Sequence, residues 1–481
     1  MARVSLPLQP SALAGARVVV VGLGASGRAA ARACVRLGAA VVGVDTRDEI
    51  PDGPDLDGVE LELGPHRRQT FLDADLVVVS PGVLATQPDV VAADEAGVPI
   101  LGELGLAAAL LAPYDPVIIG ITGTNGKSTV TSFTGQLLAA AGFRPFVGGN
   151  LGDPVCNAIP TPGDAPDWDV IVAECSSYQL ERAGTFAPRA GVILNLTPDH
   201  LARHKTMDGY AAAKARLFLN ATEDTLVLLP HDPRIERAVA GILSETSARM
   251  AYIDESDSAL PGITMHPTAA TIGLPAPTTT NQPPTTLDLS SLAIPGSHNR
   301  HNAAVAAALC LDVGADPAAI QRGIGELVAL EHRMEVVHRG EVVWINDSKA
   351  TNLDATRTGL VGLDGTGVVL LGGQAKPLDD GLGFGTLAPL LTPHRAVITF
   401  GADGPQIAAE LRAEGLVPHE VPTMEAAIAL ARQLACPGDV VLLSPGCASF
   451  DHYPNFAERG RIFRERVQAL FSADPAPEVR P

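Results

Sequence analysis

Lysine is nearly absent from this sequence: five residues (Lys127, Lys205, Lys214, Lys349 and Lys376) stand against 29 arginines in a chain of 481. Surface solvation is left to arginine and carboxylates, so most of the lysines are expected at chemical positions. An ammonium is a compact charge whose pKa adapts and which can be modified, unlike a guanidinium. A genome biased toward arginine codons would explain the low count but not where the five lie. Aromatic residues are also scarce, at 4%, so the core must be aliphatic. The six cysteines show no C-x-x-C spacing, which fits reduced thiols in a cytoplasmic protein better than a disulfide frame or a zinc site. No run of about 18 apolar residues is present to span a bilayer. Pro7 and Pro10 interrupt any apolar signal segment before a strand expected to begin at Ala16. Positive charge is short as well. The formal charge of −20 argues against a general nucleic-acid or anionic-membrane surface, so any anionic ligand must be met by local basic groups and helix N-termini. With 46% hydrophobic residues, the length suits about three globular domains.

What the sequence does have is a phosphate loop. Residues 120–129, GITGTNGKST, follow an apolar run (Pro116 to Ile119) that reads as a buried strand, and precede a helical stretch (Val130 to Ala140). Backbone N–H groups of Gly123, Thr124, Asn125 and Gly126, with the following helix N-terminus, supply fixed positive potential. Lys127 adds a point charge for the β- and γ-phosphates, and the hydroxyls of Ser128 and Thr129 follow, Ser128 as a Mg²⁺ ligand. The match is not strict, because Ile121 stands where the first glycine of the pattern belongs.

A second glycine-rich turn lies upstream. Val18 to Val21, GLGASG (Gly22 to Gly27), an alanine-rich helix, and a strand Ala40 to Val44 ending at Asp45 form the dinucleotide fingerprint, with its acidic residue 18 positions after Gly27. Alone, that would suggest NAD. A strand Asp75 to Val79 runs into Ser80, Pro81 and Gly82, another small-residue turn at a strand's carboxyl end. The proline-marked break at 112–116 places a first domain boundary near 113. Strands at Val170 to Ala173, Gly191 to Leu194 and Leu226 to Leu229 alternate with helices, as in a parallel sheet covered on both faces. Residues 261–286 are rich in Pro and Thr and read as surface loops or short edge strands. A helix Pro317 to Leu330 puts the second boundary near 330. The tail repeats the rhythm, with strands at Val342 to Ile345, Val368 to Leu371, Ala396 to Phe400 and Val440 to Leu443. The expected domains are 1–113, 114–330 and 331–481, all α/β.

Glu174 ends the strand DVIVAE, where a carboxylate can reach Mg²⁺ on nucleotide phosphates. His200, in TPDH after the next strand, would share that sheet edge as a second ligand. Lys214 follows in YAAAKARLF. A bare ammonium there would be repelled by Mg²⁺, so at this site it must contact substrate or become an anion.

The order and number of motifs resemble the Mur ligases, the ATP-dependent amide-forming family of peptidoglycan precursor synthesis, and within it the members that add D-glutamate to UDP-N-acetylmuramoyl-L-alanine. The motifs are GLGASG, DTR at 45–47, SPG at 80–82, GTNGKST, GGNLG at 148–152, ECSSYQL at 174–180, DH at 199–200, the Lys214 helix, GSHNRHN at 296–302, EHRMEVV at 331–337, NDSKATN at 346–352, LGGQAK at 371–376 and SPGCASFDHYPNF at 444–456. They cover nearly the whole chain, the Pro/Thr-rich segment excepted. The resemblance implies a Rossmann-like first domain turned to UDP rather than a nicotinamide, a central ATPase-type parallel-sheet domain, and a Rossmann-like third domain. It assigns Ser26, Asp45, Thr46, Arg47 and the turn Ser80, Pro81, Gly82 to the UDP substrate, with Asn150, Ser176 and His200 on its muramoyl-alanine part. Adenine and ribose would meet Asn299, Asn302 and Asp347, and the γ-phosphate Arg333. Two Mg²⁺ would be held by Ser128, Glu174, His200 and an N-carboxylated Lys214. D-Glutamate would lie on Thr351, Lys376, Ser449 and Phe456, with Lys349 among the catalytic residues. Phe450 departs from the family, which has leucine there; pocket shape is what it affects.

The implied reaction activates a carboxylate as an acyl phosphate and closes the amide by amine attack, in a cytoplasmic monomer whose third domain must close for catalysis. Two alternatives stand beside it: an amide ligase of the same superfamily that adds L-alanine, a diamino acid or a folyl glutamate, and a phosphate-loop ATPase switch or partner-binding module.

Overall fold

In the computed structural model, the described residues are 8–51, 56–253, 261–275, 283–361, 363, 365–375 and 383–472. They form an α/β protein of three domains, each built on its own sheet. The first sheet consists of β1 (Arg17–Val21), β2 (Ala40–Asp45), β3 (Val59–Leu63), β4 (Leu76–Val79) and β5 (Ile100–Gly102), in the order β3-β2-β1-β4-β5 and parallel throughout. Its central strands are near-continuous valine runs, as strands buried on both faces require.

The second sheet has nine strands: β6 (Val117–Thr122), β7 (Pro145–Gly149), β8 (Val170–Glu174), β9 (Ala190–Ile193), β10 (Leu226–Pro230), β11 (Arg249–Ile253), β12 (Gly262–Met265), β13 (Ala269–Gly273) and β14 (Thr285–Asp288). Their order is β14-β13-β12-β11-β10-β9-β6-β8-β7. Strands β7 to β12 run parallel with β6, and β13 alone is reversed, pairing antiparallel with β12 on one side and with the edge strand β14 on the other. The Pro/Thr-rich segment thus forms edge strands where it is described, and residues 276–282 lie outside the described set. β7 begins on Pro145 at the opposite edge, where a missing N–H costs no ladder bond.

The third sheet comprises β15 (Glu335–Arg339), β16 (Val343–Asn346), β17 (Gly367–Gly372), β18 (Ala396–Phe400), β19 (His419–Glu420) and β20 (Val440–Leu443), in the order β15-β16-β20-β17-β18-β19. Only β15 is antiparallel.

The chain divides into two compact units, Met1–Ser290 with Asn302–Gly325 and Ser291–His301 with Glu326–Pro481. Within the first unit, the first and second sheets share one aliphatic core that runs from Val18 and Val20 to Ile118, Ala173 and Val227. The helix Glu103–Leu111 links them. Every one of its nine residues is buried, and its all-round apolar sequence fits that position. Two helices differ from expectation. The helix after the phosphate loop starts at Lys127 rather than Val130, because the motif's Lys-Ser-Thr forms its first turn. The helix from Pro317 stops at Ile324, not Leu330, capped by Gly325.

Candidate functional site

Parallel pairing brings the ends of β6, β7, β8 and β9 to one edge of the second sheet. The phosphate loop leaves β6 and turns on Gly123 (φ 152°) and Gly126 (φ 84°), conformations that suit glycine. Gly126 is the N-cap of the helix Lys127–Ala140, and no side chain caps that end, so its first N–H groups face the loop's hollow. The loop is clamped from β9: Asn195 accepts from the N–H groups of Thr124 (3.0 Å) and Asn125 (2.8 Å) and donates to the Asn125 carbonyl (3.0 Å). Sequence reasoning missed Asn195, although its signal was there, a polar residue just past a buried strand. Asn302 stands beside Gly126, its Oδ1 3.1 Å from where a Cβ would be.

Lys127 donates to the carbonyls of Gly123 (3.0 Å) and Thr124 (2.7 Å), and Lys214 donates to that same Gly123 carbonyl (2.6 Å). Two of the chain's five lysines therefore converge on one atom. Lys214 is 1% exposed, with its Nζ 4.2 Å from the centroid of the Tyr210 ring. Burial, and then the positive charge of Lys127, push its pKa well below the ordinary lysine value, against the opposing pull of Asp199 and Glu174.

Glu174, the last residue of β8, is 1% exposed. Its Oε1 accepts from Asn150 Nδ2 (2.9 Å), while Oε2 has no hydrogen-bond partner among the described residues. A buried carboxylate oxygen left in this way suits a hard cation. Asn150 is held to the same strand through its own N–H, on the Glu174 carbonyl (2.8 Å). Ser176 and Gln179 form a capping box on the helix Ser177–Leu180, which engages the Ser176 hydroxyl. His200 takes a left-handed backbone (φ 58°), pairs with Asp199 (3.5 Å) and lies 5.0 Å from the Tyr178 ring. Ser128 and Thr129 occupy the first turn of the loop's helix.

At the first sheet, Gly22 (φ 83°) turns the chain into the helix Ala25–Arg36, again without a side-chain cap. Gly27 is obligatory, since a Cβ there would come within 1.9 Å of the Gly22 carbonyl. Asp45 receives the Leu23 N–H (2.8 Å) and is clasped by Arg47, whose guanidinium and N–H hold the carboxyl well below the usual range. Each Asp45 oxygen already accepts two hydrogen bonds, so a nucleotide held here would meet the clasped Asp45–Arg47 pair rather than a free carboxylate. Thr46 is exposed, and Ser26 half-buried, beside it. Ser80 donates to the Gly22 carbonyl (2.6 Å) and so joins its own turn with Pro81 and Gly82 to the glycine turn.

In the third domain, the ends of β16 and β20 gather Asp347, Lys349, Thr351 and Ser449. Asp347 is buried and accepts from Ser444 Oγ (2.9 Å) and the Met334 N–H (3.3 Å), and burial raises its pKa to about 7. A ribose contact would have to use its remaining lone pairs. Arg333 lies close enough for its charge to oppose that rise. Lys349 Nζ stands 3.8 Å over the Phe456 ring. Ser449 is 2% exposed and Thr351 half-buried, whereas Phe450 is 70% exposed. Arg459, which the sequence did not single out, is fully buried and donates to Ser348 and to the carbonyls of Cys447 and Ala448, fixing the two loops against each other. Asn299 is buried, its amide on the Pro295 carbonyl (2.6 Å). Lys376 lies outside the described residues.

Known proteins resemble this chain domain by domain and over its full length. Residues 16–102 match the Mur ligase MurD-like N-terminal domain, 121–310 the Mur ligase middle domain and 332–447 the Mur ligase glutamate ligase domain. A UDP-N-acetylmuramoylalanine--D-glutamate ligase of Desulfatibacillum aliphaticivorans is 38% identical over 95% of this chain and 99% of its own length. The protein of that name from Anaeromyxobacter dehalogenans is 41% identical over 94% and 97%. Among solved structures, the UDP-N-acetylmuramate-alanine ligase MurC of Thermotoga maritima superimposes with a TM-score of 0.56 at 19% identity, over 95% of this chain and all of that one. MurF of Acinetobacter baumannii gives 0.57 at 16%, over 95% and 93%. These two share the fold. On the three matching domains and the full-length relatives, the chain belongs to the Mur ligase family.

Proposed function

We propose that the protein is an ATP-dependent ligase that joins D-glutamate to UDP-N-acetylmuramoyl-L-alanine through an acyl phosphate, in peptidoglycan precursor synthesis. Full-length relatives of that activity support the reading. The observation that carries it into chemistry is the convergence of Lys127 and Lys214 on the Gly123 carbonyl, beside the half-satisfied Glu174.

The loop's N–H groups and Lys127 cradle the β- and γ-phosphates. As the alanyl carboxylate attacks the γ-phosphorus and the bond to ADP breaks, Lys127 and Arg333 neutralise the developing charge. Thr351, Lys376, Ser449 and Phe456 orient D-glutamate, with Lys349 beside Phe456. Its amine then attacks the acyl carbon and expels phosphate. Asn299, Asn302 and Asp347 serve adenine and ribose. Ser26, Asp45, Thr46, Arg47 and the turn at 80–82 serve UDP, and Asn150, Ser176 and His200 the muramoyl-alanine part. The depressed pKa of Lys214 favours the neutral amine. Its nitrogen can add to CO₂, forming an N–C bond and releasing a proton, to give a carbamate anion. Ser128, Glu174, His200 and that carbamate would hold Mg²⁺, whose charge would neutralise phosphate. The domains are read as 1–113, 114–330 and 331–481. No helix among the described residues is long and apolar enough to cross a membrane; a cytoplasmic monomer is proposed.

The test is ADP release with UDP-N-acetylmuramoyl-L-alanine against a panel of D- and L-amino acids. Release that needs both the nucleotide substrate and D-glutamate is expected. Preference for another amino acid would reassign the acceptor, and release without either substrate would favour an ATPase.

A further inference from the structure

We propose that Arg203 is a positioning residue: it holds the turn at Ser80–Gly82 against the second sheet, and so sets affinity for the UDP substrate without touching it. The proposal rests on the assignment of that turn to the UDP substrate. Arg203 lies on the four-residue helix Leu201–His204, which is bounded by two non-glycine residues in the left-handed region, His200 (φ 58°) and Lys205 (φ 68°). Such conformations persist only where surrounding contacts impose them.

The contacts of Arg203 do so. Its Nη1 donates to the Pro81 carbonyl (3.1 Å) and Nη2 to the Val83 carbonyl (3.3 Å), one on each side of Gly82. Nε and Nη2 fork onto both oxygens of Glu181, and the guanidinium lies 4.2 Å over the Tyr178 ring. The same ring neighbours His200, at 5.0 Å. One planar cation thus ties together the turn from the first sheet, the chain after β8 and the segment carrying His200.

The side chain is 13% exposed, and Glu181 neutralises its charge. The planar fork, rather than a free positive charge, is therefore what it contributes, and a lysine cannot reproduce five directed donors. Arg203, Glu181 and Tyr178 line a cleft whose other side is the 80–83 turn. Arg203 binds the turn only through backbone carbonyl acceptors, which separates it from Ser80, whose hydroxyl donates to the Gly22 carbonyl.

Arg203→Lys and Arg203→Ala are each expected to raise KM for UDP-N-acetylmuramoyl-L-alanine tenfold or more while changing KM for ATP by less than twofold. Glu181→Gln, which leaves the two carbonyl contacts in place, should raise the same KM by a smaller factor. Hydrogen exchange on the protein without substrates reads the positioning directly: the amides of Gly82 and Val83 should exchange at least tenfold faster in Arg203→Lys, with the helix Lys127–Ala140 unchanged. If Arg203→Ala does not fold, Arg203→Lys decides. Wild-type KM or wild-type exchange in Arg203→Lys overturns the proposal, as does an equal rise in KM for ATP. Wild-type protein lacking UDP-substrate-dependent ADP release would instead overturn the reading of the activity, and exchange at the turn would still test the role of Arg203.

Discussion

Lys214 shows how a single side chain can be placed by sequence yet given its chemical state by packing. Its alanine neighbours make a helix, and the helix Met207–Ala215 forms where expected. That the ammonium is buried beside Lys127, on a shared carbonyl, is visible only once β6 and this helix are side by side. A cation in that place is expensive, and the low pKa follows. Lys214→Ala is expected to lose about a hundredfold or more in turnover, the scale of removing one transition-state charge contact. Formate or acetate, small anions able to occupy the vacated space, should restore part of it, and chloride at equal ionic strength should not. Steady-state ADP release measures this. Equal effects of the two salts would mean that Lys214 does not act as an anion. Of the residues named from sequence, those at strand ends were legible because parallel strands read as uninterrupted apolar runs, so the first polar residue after each marks the sheet edge. Arg203 and Arg459 were not legible, since their partners are backbone carbonyls brought from elsewhere in the chain.

The helix Glu103–Leu111 carries the clearest consequence at the level of elements. Glu103 begins it, fully buried, with Oε1 on the Cys156 N–H (2.7 Å). Burial raises its pKa to about 7. A carboxyl whose folded pKa lies above the unfolded value, near 4.5, binds more protons folded than unfolded, so stability falls as pH rises between those values. Glu103→Gln keeps an acceptor for Cys156 and removes the charge. It should therefore raise the unfolding midpoint relative to wild type at pH 8 and much less at pH 5, read by thermal unfolding at both. The same shift at both pH values would show that Glu103 does not titrate in the fold. Other elements escaped the sequence for plain reasons. β5 and β19 are three and two residues long, and β7 opens on proline and closes on two glycines, so none offers a run of apolar residues. β15 and β3 alternate or are half-exposed, and pairing rather than composition makes them strands.

Taken as a whole, the molecule carries a formal charge of −20 with few exposed cations other than arginine. Like-charge repulsion in the compact state weakens with added salt, since the screening length falls from about 20–30 Å at the lowest ionic strengths to about 8 Å near 0.15 M. The first thermal unfolding transition is therefore expected to rise by a few degrees between about 0.02 and 0.2 M sodium chloride. A fall over that range would mean that attractive pairs, such as Arg412 with Glu420 and Arg144 with Asp169, outweigh the repulsion. Exposed pairs are worth little each, so the rise is expected.

By itself the sequence determined the α/β class, the two glycine turns, the phosphate loop and the polar residues at the strand ends, because each depends on local chemistry: glycine's tolerance of positive φ, valine runs in buried strands, a lysine after a turn. Only the tertiary structure decided which of these residues share a site and in what state. Strand order in the second sheet sets β6 between β8 and β9, and that placement brings Glu174, Asn195 and Lys214 to one loop. The same folding saturates Asp45 with Arg47 and Leu23, so that the acidic residue of the fingerprint is already engaged within its own sheet. Hydrogen-bond partners and burial are properties of elements distant in sequence, and no local pattern encodes them.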